Sequence, residues 1–185
     1  MSQTIVDRPA AGKAPRTQEP VRPHTRLDWS HAAPDALRAM LGLEASVRRS
    51  GLEQSLLQLV RMRASQLDHC AYCIDMHSKD ARHEGESEQR LYALSAWRET
   101  PFFTPRERAA LAWTEAVTDI VRTGVPDDAY DEARAEFDEA ELVALTMAIV
   151  TINGWNRLAV GFRVPVGDYV PGATKHLAAL QTPAA

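Results

Sequence analysis

The chain has only two cysteines in 185 residues, Cys70 and Cys73, and the loop they could close is too short to staple a fold. It has no run of lysine and arginine that would track a phosphate backbone. Its 21 basic residues face 25 acidic ones, a formal net charge of −4, which argues against nucleic acid as a partner. Uninterrupted apolar stretches near the roughly 18 residues of a membrane span are missing, and "MSQTIVDRPAAGKAPRTQEP" lacks the apolar centre of a signal peptide. Apolar–polar alternation of the kind that marks paired strands is missing too, and no repeat is visible. These absences point to a cytoplasmic protein with no membrane association. The length suits one domain, with or without a tail, rather than two.

What is present is helical periodicity. Residues 1–25, with Pro9, Pro15, Pro20 and Pro23 among small and charged residues, read as a disordered tail, and residues 26–185 as one all-α domain. Pro34 suits the first turn of a helix carrying Leu37, Met40, Leu41 and Val47, which ends by Ser50-Gly51. Leu56, Leu57, Leu59, Val60 and Met62 form the next stripe. Asp68 is then placed to cap a helix beginning "HCAYC" and ending at Gly85. In "SEQRLYALSAWRE", Leu91, Leu94 and Trp97 share a face. Thr104, Pro105 and Glu107 spell a capping box before a stripe of Leu111, Trp113, Val117, Ile120 and Val121 that Gly124 closes. Asp138 and Glu141 repeat that start signal ahead of the apolar run "LVALTMAIVTINGWNRLAVGF", which Gly154 is expected to kink or interrupt; "RVPVGDYVPG" reads as extended or looped. The charge-dense stretch from Asp127 to Glu141 reads as a solvated face and turn. Trp97 and Trp113 read as packing residues, Trp155, Asn156 and Arg157 as an anchor at a helix or subunit contact, and His24, His31, His83 and His176 as surface or tail residues.

Cys70, Cys73 and His77 are separated by three and four residues, a spacing that lines them up on one helix face. At a helix N-terminus the free N–H groups favour thiolate over thiol. An imidazole titrating near neutrality, one turn beyond Cys73, suits the removal of its thiol proton directly or through a water. That makes Cys73 the better nucleophile, and Cys70 can close an intrahelical disulfide on its oxidised sulfur.

The segment "RMRASQLDHCAYCIDMHSKDARHEGE" resembles the active-site segment of the carboxymuconolactone decarboxylase-like superfamily, in its alkylhydroperoxidase D-like branch. The likeness continues through "AWRETPFFTPRERAALAWTEAVTDI" and "INGWNRLAVGFRVP", so it spans about residues 30–170. The resemblance implies an all-α fold of about six to eight helices with the Cys-x-x-Cys at a helix N-terminus. It also implies a homo-oligomer (dimer, trimer or hexamer) and thiol peroxidase activity against organic hydroperoxides in antioxidant defence. On the same ground Cys73 would be peroxidatic, Cys70 resolving and His77 part of a proton relay. A thiol reductant, such as a thioredoxin-like or lipoyl-bearing protein, would restore the dithiol. No cofactor is implied.

One position departs from the family pattern. Where the active pattern carries a glutamate, twelve residues before the first cysteine, this chain has Gln58. An amide orients an imidazole but does not accept its proton, so the relay reads as incomplete, and Gln58→Glu is expected to raise turnover. Glu53 falls about 140° away around the helix, and no spacing places Glu44. His69 stands where relatives often have glycine, either lending positive charge to a thiolate or serving as a polar first-turn residue.

Other readings of these residues stay open. The cysteines would also suit a core as small buried residues. His69, Cys70, Cys73 and His77 form a set of soft and borderline ligands for zinc or iron, although neighbours at 69 and 70 point about 100° apart on a helix and no metal is expected. A non-redox decarboxylase-like enzyme and a binding or assembly scaffold without turnover are the alternative functions.

Overall fold

The structure, a computed structural model, describes residues 24–172, so the expectations for the proline-rich tail and for His176 fall almost wholly or wholly outside it. Among the described residues the fold is all-helical. α1 (Trp29–Ala32) and α2 (Pro34–Arg48) lead into α3 (Gln54–Leu67) and α4 (Ala71–His83). Next come α5 (Glu88–Ala93), a 3-10 segment (Leu94–Glu99), α6 (Pro105–Thr118), α7 (Ile120–Thr123), α8 (Asp127–Glu136) and α9 (Glu139–Phe162). Two of the nine α-helices among the described residues, α1 and α7, are single turns, which leaves seven longer ones.

α3 is the hub, packing against α4, α6 and α9. Residues 56–62 of this helix are buried without a break, so it has no solvent face there. Leu57 and Val60 share a core cluster with Ala110, Leu145 and Ile149, Leu59 and Met62 share one with Leu94, Trp97 and Leu111, and Ala64 shares one with Cys70, Cys73 and Ile152. A fully buried leucine contributes about 2 kcal/mol, so this one helix ties three clusters into one core. Trp97 and Trp113 are core residues, each with its indole N–H donating, to Glu115 and to Thr146 respectively, at 2.9 Å.

Both sequence-read capping boxes form, at Thr104/Glu107 and at Asp138/Glu141. Two expectations are corrected. The stripe predicted to continue through Ile120 and Val121 breaks at Asp119, and these side chains are exposed, Val121 almost fully. Gly154 does not interrupt α9. A Cβ there would come within 2.9 Å of Met40 Cε, so the glycine lets α2 approach closely. By length and composition α9 is the one helix among the described residues apolar enough to cross a membrane. Its buried Thr151, Asn153 and Asn156 have hydrogen-bond partners inside the protein, as befits a core helix.

The first turn of α6 also carries a junction. Arg106 donates to Glu53 at the start of α3, to Glu141 at the start of α9 and to the carbonyl of Glu136 at the end of α8, while its guanidinium lies 4.1 Å from the centre of the Phe137 ring. Beyond α9, Lys79 of α4 donates to the carbonyls of Gly167 and Tyr169, and the Tyr169 hydroxyl donates to Asp80 at 2.7 Å, holding the looped segment 164–172 along α4.

Candidate functional site

The turn from α3 to α4 places the cysteines. At the end of α3 the N–H of Cys70 donates to the Ser65 carbonyl at 3.0 Å and that of His69 to Gln66 at 3.4 Å. This is the paired bonding of a Schellman motif. The motif needs a left-handed residue just past the C-cap, and His69 supplies it with φ of +53°. Glycine fits such a position without a Cβ penalty, which gives the oddity at position 69 a backbone cause. His69 is exposed, and Asp68 does not cap α4 as expected: it is the C-cap residue of α3. Its carboxylate instead accepts from the amide of the fully buried Asn156 at 3.0 Å and lies 3.7 Å from Arg157. Asn156 also accepts from the Ser65 hydroxyl at 3.0 Å, so the anchor read at Trp155-Asn156-Arg157 fastens α9 to the turn beneath the cysteines.

The N-cap of α4 is Cys70 itself, whose sulfur accepts the N–H of Cys73 at 3.3 Å. The two sulfurs are joined as a disulfide, with Cα atoms 5.4 Å apart. Both are buried, at 1% and 2% exposure, in a cluster whose partly exposed members are Tyr72, Trp155 and Val164.

His77, one turn after Cys73, is buried as well. Burial pushes its pKa down to about 3, and the nearby Arg61 and Arg48 charges push in the same direction. The expectation of an imidazole titrating near neutrality is therefore corrected: His77 is a neutral ring. Its Nδ1 lies 3.2 Å from Gln58 Oε1, so α3 and α4 bring together the two positions that the sequence had linked. Gln58 does not end the chain of contacts. Its Nε2 donates to both carboxylate oxygens of Glu84, at 3.1 and 3.2 Å.

Glu84 was missed in the sequence although a signal was there. It lies seven residues after His77, which returns it to the same face of the helix, and Gly85 with φ of +98° turns the chain away just beyond it. Glu53 and Glu44 are paired elsewhere. Glu53 pairs with Arg106, and Glu44 lies 2.7 Å from the buried Arg61. A cleft of about 430 Å³ opens beside Gln58 and Glu84, bordered also by Ala81, Glu86, Arg90 and Glu107, and the cysteines do not line it. Among the described residues no three His, Cys, Asp or Glu side chains are grouped to hold a metal ion.

The sequence profile of the Carboxymuconolactone decarboxylase family matches residues 34–116. The uncharacterised protein YdfG of Bacillus subtilis is 40% identical over 135 residues, covering 73% of this chain and 92% of its own. A crystal structure from Agrobacterium tumefaciens, of a protein of unknown function described as a candidate AhpD-type antioxidant defence protein, is 47% identical. It covers 79% of this chain and 100% of its own, with a TM-score of 0.77. A debrominase crystallised without ligand shares the fold at 20% identity, covering 75% of this chain and 74% of its own with a TM-score of 0.68.

Proposed function

The chain belongs to the carboxymuconolactone decarboxylase/AhpD-like superfamily, and on that premise we propose that it is a cytoplasmic thiol-dependent peroxidase acting on organic hydroperoxides. The observation that carries this reading is the arrangement of α4: two cysteines at bonding distance at its N-terminus, with a neutral, anchored imidazole one turn on.

In the reduced protein, His77 relays the Cys73 thiol proton toward the departing oxygen in one concerted step as the sulfur attacks the terminal oxygen of the hydroperoxide, so a ring with so low a pKa never has to hold the charge. The O–O bond breaks, Cys73 becomes a sulfenic acid, and the departing oxygen leaves with the relayed proton as an alcohol. Cys70, whose thiolate the Cys73 N–H favours, then attacks the sulfenic sulfur. The S–S bond forms and hydroxide departs, to be protonated to water. A thiol reductant of thioredoxin or lipoyl type closes the cycle by taking over the disulfide, in a homo-oligomer as the family resemblance implies.

The test is a single turnover of pre-reduced protein with cumene hydroperoxide, counting free thiols before and after, alongside Cys73→Ser. Loss of two thiols per peroxide in the wild type, with no consumption by the variant, supports the proposal; thiols that survive peroxide unchanged remove it. Burial of both sulfurs favours one other reading, a scaffold that has kept the dithiol without turnover, and the second outcome is the one it requires.

A further inference from the structure

We infer that Glu84 is the positioning carboxylate of this site, acting through Gln58 to fix which nitrogen of His77 faces the chemistry. This deepens the proposed reaction and rests on it only for its catalytic consequence.

The inference follows from donor and acceptor inventory. A carboxylate only accepts hydrogen bonds, so the end of Gln58 that meets Glu84 must be the NH2 group, which donates to both oxygens. The end left for His77 is then Oε1, which also only accepts. The His77 nitrogen 3.2 Å away, Nδ1, must therefore carry the hydrogen. Because the ring is neutral, with its pKa held down to about 3 by burial, Nε2 is left unprotonated and is the atom able to take a thiol proton. Without Glu84 nothing in this chain of contacts fixes the amide: a flipped Gln58 would present its NH2 to Nδ1, and the proton would move to Nε2, where it disables the base.

Glu84 is exposed, so its charge is screened by water before it reaches His77, and its leverage is the orientation of the amide rather than its field. Gln58, by contrast, is 5% exposed and not free to swap partners with solvent. The consequence for position 58 reverses the expectation drawn from sequence. A glutamate introduced there would meet the Glu84 carboxylate at about 3 Å, and two carboxylates at that distance do not both stay ionised. Gln58→Glu alone therefore does not improve the site. The exchange Gln58→Glu with Glu84→Gln does preserve its logic, because the new glutamate accepts from His77 Nδ1 while the new glutamine donates to it.

The experiment measures the His77 tautomer by 15N–1H correlation NMR in reduced and oxidised protein, assigning the signal by its loss in His77→Asn. It also measures the iodoacetamide alkylation rate of Cys73 in a Cys70→Ser background. The expected results are a pure Nδ1–H tautomer in the wild type and a mixed or Nε2–H signal in Glu84→Gln, with alkylation slowed about tenfold. The Gln58→Glu/Glu84→Gln pair should return to the Nδ1–H form and come within about threefold of the wild-type rate. Glu53→Gln, which removes an exposed partner of Arg106, serves as the control and should change neither readout. An Nε2–H tautomer in the wild type overturns the inference without any variant. So does a Glu84→Gln protein with wild-type tautomer and rate, or an exchanged pair as slow as Glu84→Gln. Neither readout uses a hydroperoxide, so failure here and failure of the peroxidase reading are separate results.

Discussion

The backbone N–H of Cys73 donates to the sulfur of Cys70 at 3.3 Å, so the two cysteines, three residues apart, occupy different electrostatic positions. Cys70 sits at the N-cap, where its thiolate is favoured by the helix itself; Cys73 lies inside the first turn and depends on the imidazole beyond it. The expected outcome is a split in sensitivity. His77→Asn should slow alkylation of Cys73 in a Cys70→Ser background by about tenfold, and leave alkylation of Cys70 in a Cys73→Ser background within about twofold. Equal slowing of both thiols, followed by mass spectrometry, would contradict this division.

The buried, neutral His77 makes stability depend on pH with a definite sign. Its pKa is about 3 in the folded chain against an ordinary 6.5. Between these values the unfolded chain binds a proton that the folded chain does not. The stabilisation is complete above about pH 6.5 and is lost as pH falls toward 3, about 5 kcal/mol in all. Urea midpoints measured from pH 7 down to pH 4 should therefore fall, and His77→Gln should flatten that slope over the same interval.

His69 holds a left-handed backbone that glycine adopts freely and a β-branched residue adopts badly. His69→Gly should be stability-neutral to within about 1 kcal/mol, because relief at φ of +53° offsets the greater freedom of the unfolded chain. His69→Val should cost about 1–2 kcal/mol and disturb the bonding that positions Cys70. Thermal unfolding of the two variants checks this; a valine variant as stable as the glycine one would contradict it.

Glu44 offers a fourth test. Its carboxylate lies 2.7 Å from Arg61, whose side chain is only 4% exposed. Glu44→Gln leaves a buried guanidinium without its counter-charge, and the expected loss is about 3 kcal/mol in denaturant unfolding. Glu53→Gln, at an exposed pair, should cost less than 1 kcal/mol by the same assay.

Much of this architecture was legible in the order of residues because local rules suffice for it. Pro34, the two capping boxes, the stripe of α3 and the Gly85 stop each need only neighbours within a turn or two. The meeting of Gln58 with His77 was legible through family resemblance. What escaped depends on the fold. Asp68 looked like a helix start because aspartate suits an N-cap, but the chain had already turned on the unexpected left-handed His69, and Cys70 took the cap. Ile120 and Val121 kept the apolar spacing of α6 after the helix had ended, since periodicity carries no mark of where packing stops. The neutrality of His77 came from burial and two arginines on other helices, neither of which its sequence neighbours reveal. Glu84 was overlooked because its partner lies 26 residues away.

Arg106 has a kinetic consequence. One guanidinium bonds to the starts of α3 and α9 and the end of α8 while sitting in the first turn of α6, so none of these four ends can fray without releasing bonds that serve the others. Amide protons there should open to solvent as one cooperative unit in hydrogen exchange, with a common opening free energy, whereas ends outside the junction, such as that of α4, open on their own.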